Sequence, residues 1–196
     1  MKYFERKLNT KDPKMPRMLI VCEGEKTEPN YFIQFKESIR DQLIVFVKGT
    51  GYNTLSLVEY AIELKDKNRK KNKDFDIVWV VFDRDSFPAK DFNEAFTLAE
   101  RKKFKVAYSN EAFELWYLLH FDYIDTALSR DQYEGKLTER LKFKYVKNSE
   151  VMYEILLPLQ EAAIKNAEKL LLFHPNKENP STTVHKLVIQ LNSYKK

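Results

Sequence analysis

Cysteine is almost absent from this 196-residue chain: Cys22 stands alone. A single thiol cannot close a disulfide within the chain, and the expectation is a cytoplasmic protein. Histidine is scarce too. His120, His174 and His185 form no zinc-ligand spacing, so a Cys/His zinc site is excluded. No apolar stretch approaches the roughly 20 residues of a membrane-spanning helix. The segment "MKYFERKLNTKDPK" lacks the apolar core of a secretory signal, so no membrane role is expected. Glycine occurs four times, at Gly24, Gly49, Gly51 and Gly135. "KGTG" (48–51) is not followed by Gly-Lys-Ser/Thr and is no Walker A loop. It either lines a phosphate site or simply turns the chain.

Hydrophobic residues make up 43% of the chain, enough for a proper core, and charged residues 32%. The length suits one domain with a helical extension. The net charge is +5, with basic runs at "KDKNRKKNK" (65–73), "RKKFK" (101–105) and "KLTERLKFKYVK" (136–147). That balance fits a phosphate polymer as partner. It equally fits solvated helix faces.

The hydrophobic pattern predicts an irregular arm over 1–16, where Pro13 and Pro16 break any helix. "RMLIVCE" (17–23) reads as a buried strand. Over "TEPNYFIQFKESIRDQ", Thr27 is a candidate cap, Pro29 suits the first turn, and Phe32, Phe35 and Ile39 recur at helical spacing. "LIVFVKG" (43–49) is a second strand, followed by a helix capped by Asn53. "DIVWVVFDRD" (76–85) is an uninterrupted apolar run, which requires burial on both faces. A helix, a strand at "FKVAYSN" (104–110) and a helix capped by Ser109 or Asn110 complete a βα alternation. Continuous apolar strands joined by helical crossovers imply a mostly parallel α/β sheet over 17–123. From about residue 124 to 196 the pattern is helical, over 129–144, 149–172 and 181–192, with Pro158 starting or kinking a helix.

In an open parallel sheet ligands bind beyond the carboxyl ends of the strands. Acids gather at those ends. Glu23 follows the first strand, with Glu25 and Glu28 close behind; Asp83 and Asp85 end the third; Glu111 and Glu114 follow the fourth. Asp83 and Asp85 are two apart and share a side of a strand, while Arg84 takes the other. Carboxylates crowded near low-dielectric strand ends need a cation or a shared proton. Hard oxygen donors without a His and Cys set suit Mg²⁺, or Mn²⁺, and phosphoryl-transfer chemistry.

These residues resemble the TOPRIM fold, in which a glutamate after the first core strand and an Asp-x-Asp at a later strand end bind divalent metal. "LIVCEGE" matches the first motif at Glu23, and "VVFDRD" the second at Asp83 and Asp85. More narrowly, "CEGEKTEPNYF", "VFDRDSF", "AYSNEAFELWYLLHF" and "NPSTTVHKLV" together resemble the RloB-like family, over about residues 17–191. These are TOPRIM-type proteins of restriction and phage-defence loci, often encoded near an ATPase partner. The resemblance implies a TOPRIM-like mostly parallel α/β sheet flanked by helices, with a helical C-terminal extension. It also implies a metal-dependent nuclease effector acting on nucleic acid, RNA such as tRNA or DNA. "EGEKTE" is also similar to the "EG-x-TE" of overcoming-lysogenization-defect nucleases, which would give Glu28 an accessory role, although this chain carries an additional residue between Gly24 and Thr27.

Glu23, Asp83 and Asp85 are therefore the expected metal ligands, with Glu28 or Glu114 assisting catalysis. Lys26 is expected to contact a phosphate, and His185 to approach substrate. Each has a plainer role open to it: Asp83 and Asp85 can cap a turn, Glu28 can favour a helix start, and His185 can be a hydrogen-bonded structural side chain. Trp79 is expected in the core and Cys22 as a small buried apolar residue. A partner ATPase and an oligomer are open. Two other classes fit less well: a non-catalytic binding module whose acids are structural, and a receiver-like phosphoacceptor, which would need a fifth strand ending in Lys.

Overall fold

A computed structural model describes residues 15–84, 89–175 and 178–195. Most of the expected N-terminal arm, and Asp85, lie outside the described residues. The elements run β1 (Arg17–Cys22), α1 (Thr27–Ile33), α2 (Phe35–Ile39), β2 (Ile44–Gly49), α3 (Thr54–Arg69), β3 (Ile77–Arg84), α4 (Ala89–Arg101), β4 (Lys105–Asn110), α5 (Glu114–Leu118), α6 (Arg130–Leu141), α7 (Met152–Leu156), a 3₁₀ turn (Leu157–Leu159), α8 (Gln160–Phe173) and α9 (Val184–Asn192). The four strands form one sheet in the order β2-β1-β3-β4, and every pairing is parallel. The α/β architecture expected from the sequence holds: a parallel sheet flanked by helices, with helices after it.

Because side chains alternate along a strand, the sheet has two apolar faces. Met18, Ile20, Cys22, Trp79, Val81 and Ala107 belong to the larger core, which α1, α2 and α5 to α9 complete. Leu19, Val21, Val78, Val80, Phe82 and Tyr108 belong to the smaller core under α3 and α4. The helices after residue 124 therefore close the same core as the sheet: Tyr133, Leu156, Leu170 and Leu187 are each fully buried in the larger cluster.

The local differences from expectation have identifiable causes. The helix expected over 27–42 is two, α1 and α2, meeting at Gln34. Thr27 does not cap. It is the first helical residue, behind Lys26, and its hydroxyl donates to Asn148 Oδ1 at 2.9 Å. Asn53 does cap α3, its side chain accepting from the Ser56 N–H. Neither Ser109 nor Asn110 caps α5. Asn110 is the last residue of β4, and its Oδ1 accepts from Ser181 Oγ at 2.6 Å. Pro158 sits in the 3₁₀ turn that separates α7 from α8, the break expected there.

Ser181–Thr183, expected as the start of a helix, instead runs along the outer edge of β4. Thr182 bridges Ser109 antiparallel, the Thr183 N–H donates to Tyr108 O at 2.8 Å, and the Tyr108 N–H donates to Thr183 Oγ1 at 3.0 Å. "NPSTTV" is thus an edge cover. It satisfies backbone groups that an open edge strand would present to other chains.

Candidate metal and phosphate site

The register carries the ends of β1 and β3 to the same rim. Cys22 stands opposite both Gly49 and Val81, so Glu23 leaves β1 beside Asp83. The Glu23 N–H donates to Val81 O at 2.8 Å, and the Asp83 N–H donates to Glu23 Oε2 at 3.1 Å. Asp83 shares the parity of Trp79 and Val81 and faces the larger core. Arg84 faces the other way, its guanidinium 5.1 Å from the centre of the Phe92 ring.

Two glycines permit the close approach of loops here. A Cβ on Gly24 would lie 2.1 Å from Glu28 Oε2, and the Gly24 N–H donates to Glu28 Oε1 at 3.3 Å. Glycine therefore lets the Glu28 carboxylate fold back over the loop after β1. A Cβ on Gly49 would lie 2.4 Å from Glu25 O, so that glycine lets the loops after β1 and β2 stack. "KGTG" acts here as packing and turn: none of its residues lines the acidic cavity.

A cavity of about 450 Å³ opens at this rim. Glu23, Glu25, Glu28, Asp83 and Glu114 supply its acids; Lys26, Arg130 and Lys147 supply its cations. Glu28 and Glu114 are 5% and 4% exposed, low values for groups that carry charge. Glu114, in the first turn of α5, accepts from the Tyr145 hydroxyl at 2.9 Å. Loss of solvation raises the Asp83 carboxyl well above its ordinary range; the charges of Glu28, Glu114 and Glu23 raise it further, and Arg130 offsets part of this. Loss of solvation likewise raises Glu28, with Glu114 adding repulsion and Lys147 easing it. Asp83 and Glu28 therefore hold protons more tightly than free carboxylates do.

The structure thus brings Glu23, Glu28, Asp83, Glu114 and Lys26 to one cavity. Glu111 is not part of the lining: it has φ 63°, and its carbonyl accepts from Arg130 Nε at 3.0 Å. His185, expected to approach substrate, is buried at 2% exposure at the start of α9 and does not line the cavity. Burial, then the charge of Lys186, pushes its imidazole down to about 4, so it is neutral at pH 7. Cys22 is fully buried and free. Burial, with the charge of Glu28, holds its thiol well above the ordinary range, consistent with a packing role.

Arg130, Tyr145, Lys147 and Asn148 are the residues that sequence reasoning missed. Tyr145 and Lys147 lie within the basic run over 136–147, which fits a phosphate polymer or a solvated helix face; no local signal ties them to the acids.

By donor chemistry the cavity fits a hard dication: carboxylate oxygens, no soft ligand, and mutual repulsion that a cation would relieve. Among the described residues, however, no three His, Cys, Asp or Glu side chains are placed to hold an ion by themselves. Asp85, the remaining expected ligand, lies outside them.

A four-stranded parallel sheet flanked by helices, with acids at the carboxyl ends of its first and third strands, defines a parallel α/β class of protein. Within that class the chain belongs to the RloB-like family, whose model, described as "RloB-like protein", matches residues 18–191. No curated protein matches the chain. Among the described residues no helix is long and apolar enough to cross a membrane.

Proposed function

We propose that the chain is a divalent-metal-dependent nuclease, hydrolysing phosphodiester bonds of RNA or DNA as an effector in anti-phage defence. One observation carries this reading: acids just after β1 and in α1, β3 and α5, up to 91 positions apart in sequence, share one cavity with lysine and arginine side chains. A structural role does not call for such repulsion, whereas a polyanion held by a dication does.

In this reading Glu23, Asp83 and Asp85 hold Mg²⁺ or Mn²⁺. The bound metal would neutralise charge on the phosphate and make water a better nucleophile. The chain's own groups do the rest. The Asp83 N–H fixes the orientation of the Glu23 carboxylate. The Gly24 N–H fixes that of Glu28, whose raised proton affinity suits it to give a proton to the leaving oxygen or take one from water. Tyr145 holds Glu114 in place. Lys26 meets a phosphate at the mouth. A nuclease of this kind needs restraint, so an ATPase partner and a cytoplasmic setting belong to the proposal, and self-association is compatible with it.

Asp83→Ala should abolish Mg²⁺-dependent cleavage of mixed RNA and DNA substrates, about a thousandfold or more, since a metal ligand contributes several kcal/mol at the transition state. A variant that cuts as well as the wild type refutes the assignment. One rival is a non-catalytic nucleic-acid- or protein-binding module. Binding that ignores chelator, without cleavage, would select that rival.

A further inference from the structure

We infer that Lys147, supplied by the loop between α6 and α7, is a phosphate-binding residue for the polynucleotide, an inference that rests on the nuclease reading above. The loop is fastened at the next residue. Asn148 takes a left-handed conformation, φ 68°. Its Oδ1 accepts from the Thr27 hydroxyl at 2.9 Å, and its carbonyl accepts from Asn30 Nδ2 at 2.8 Å. Thr27 and Asn30 bracket Glu28 on α1, so two hydrogen bonds hold the loop to the helix that carries an acid of the cavity. Lys147 lines that cavity, and its charge reaches Glu28.

The lysine is nevertheless exposed, and it makes no ion pair within 4.0 Å among the described residues. A lysine kept only to balance a buried carboxylate would be drawn into contact with it. This one is tethered through its neighbour and left facing the opening. Lys26, also exposed, lines the same cavity from the residue before α1. Two outward ammonium groups above an acidic floor suit a phosphodiester chain: flanking phosphates meet the cations while the reacting phosphate meets the acids. An ammonium group binds phosphate as a point charge, so this contact adds affinity without reading the base.

The test measures binding apart from cleavage. Fluorescent single-stranded RNA and DNA 12-mers are titrated against the full chain in EDTA, from 50 to 300 mM salt. Lys147→Ala should weaken binding of either probe roughly tenfold at the lowest salt. It should also make the slope of log K against log salt shallower by about 0.7, the signature of one lost phosphate contact on a single strand. Lys147→Arg should restore both. Lys147→Gln, which keeps most of the stem, serves as the variant of record if the alanine protein misfolds. Unchanged affinity and slope in a folded alanine or glutamine variant overturns the inference and, if the wild type still cleaves, leaves the nuclease reading standing. A Lys147-dependent slope in a wild type that never cleaves upholds the contact and removes the nuclease. A wild type that binds neither probe overturns the inference outright.

Discussion

The two faces of the sheet are built from the same strands and do different work. Under α3 and α4 the smaller core is made of side chains such as Leu57, Val80 and Phe82, and the one nearby charge on β3, Arg84, lies over the Phe92 ring. Under α1, α2 and the C-terminal helices the core is larger and carries Glu28, Asp83 and Glu114 at its upper end. Arg84 and Asp83 are neighbours in sequence, yet alternation sends one to each face. The first face buries an apolar core. The second sets its buried acids on a wide aromatic and aliphatic base, with Tyr31 alone making edge contacts to Phe32, Phe35, Phe113, Trp116 and Tyr153.

Core truncation on each face should separate these roles most strongly. Leu57→Ala should cost about 2–5 kcal/mol of stability and Trp116→Ala about 3–5 kcal/mol, read by denaturant unfolding. Below the melting range, Leu57→Ala should retain wild-type activity per folded molecule. Trp116→Ala, which lies two residues beyond Glu114 in α5, should lose it. Equal activity losses would break the division of labour between the faces.

A smaller effect sharpens the same comparison through pH. The folded state raises the proton affinity of Asp83 and Glu28, so it binds more protons than the unfolded chain between the ordinary carboxylate range near pH 4 and the raised values. Stability should therefore be greatest below about pH 4 from these groups and fall as pH rises through that window. Asp83→Asn and Glu28→Gln should each raise the unfolding free energy at pH 8 without divalent metal, by on the order of 1 kcal/mol, and change little at pH 4. Mn²⁺ should raise the wild-type melting temperature at pH 8 and do less for either variant. Destabilisation by both neutral isosteres at pH 8 would show that the acids are structurally satisfied and need no cation.

A further test concerns the support of the acids. Tyr145→Phe removes the hydroxyl that donates to Glu114 and leaves a buried carboxylate short of a partner, at a cost of about 1–3 kcal/mol. Cleavage should fall mainly in kcat, because the loss disturbs orientation rather than substrate charge. A pure KM effect would place Tyr145 on the substrate instead.

Much of the fold was legible because it rests on short-range pattern. An apolar run such as Ile77–Phe82 can be little other than a strand buried on both sides, and Asn53 announces a helix by the donors it satisfies. Thr27 and Asn110 misled for one reason: each is a good local cap, but Asn148 and Ser181, brought in from far along the chain, take up their side chains. The site divides likewise. Glu23 and Asp83 could be placed from strand ends, whereas Tyr145 and Lys147 sit in a run whose composition matches any solvated helix face.

From residue order alone, the chain determined where its strands end and that acids stand at those ends, since alternation and hydrophobic runs are properties of neighbouring residues. Only the tertiary structure decided that Glu28 folds back over Gly24, that His185 is buried, and that the loop between α6 and α7 brings Lys147 into the cavity lining and Tyr145 onto Glu114. Those outcomes depend on which distant segments compete for one volume and one set of hydrogen-bond partners, and no local pattern encodes that competition.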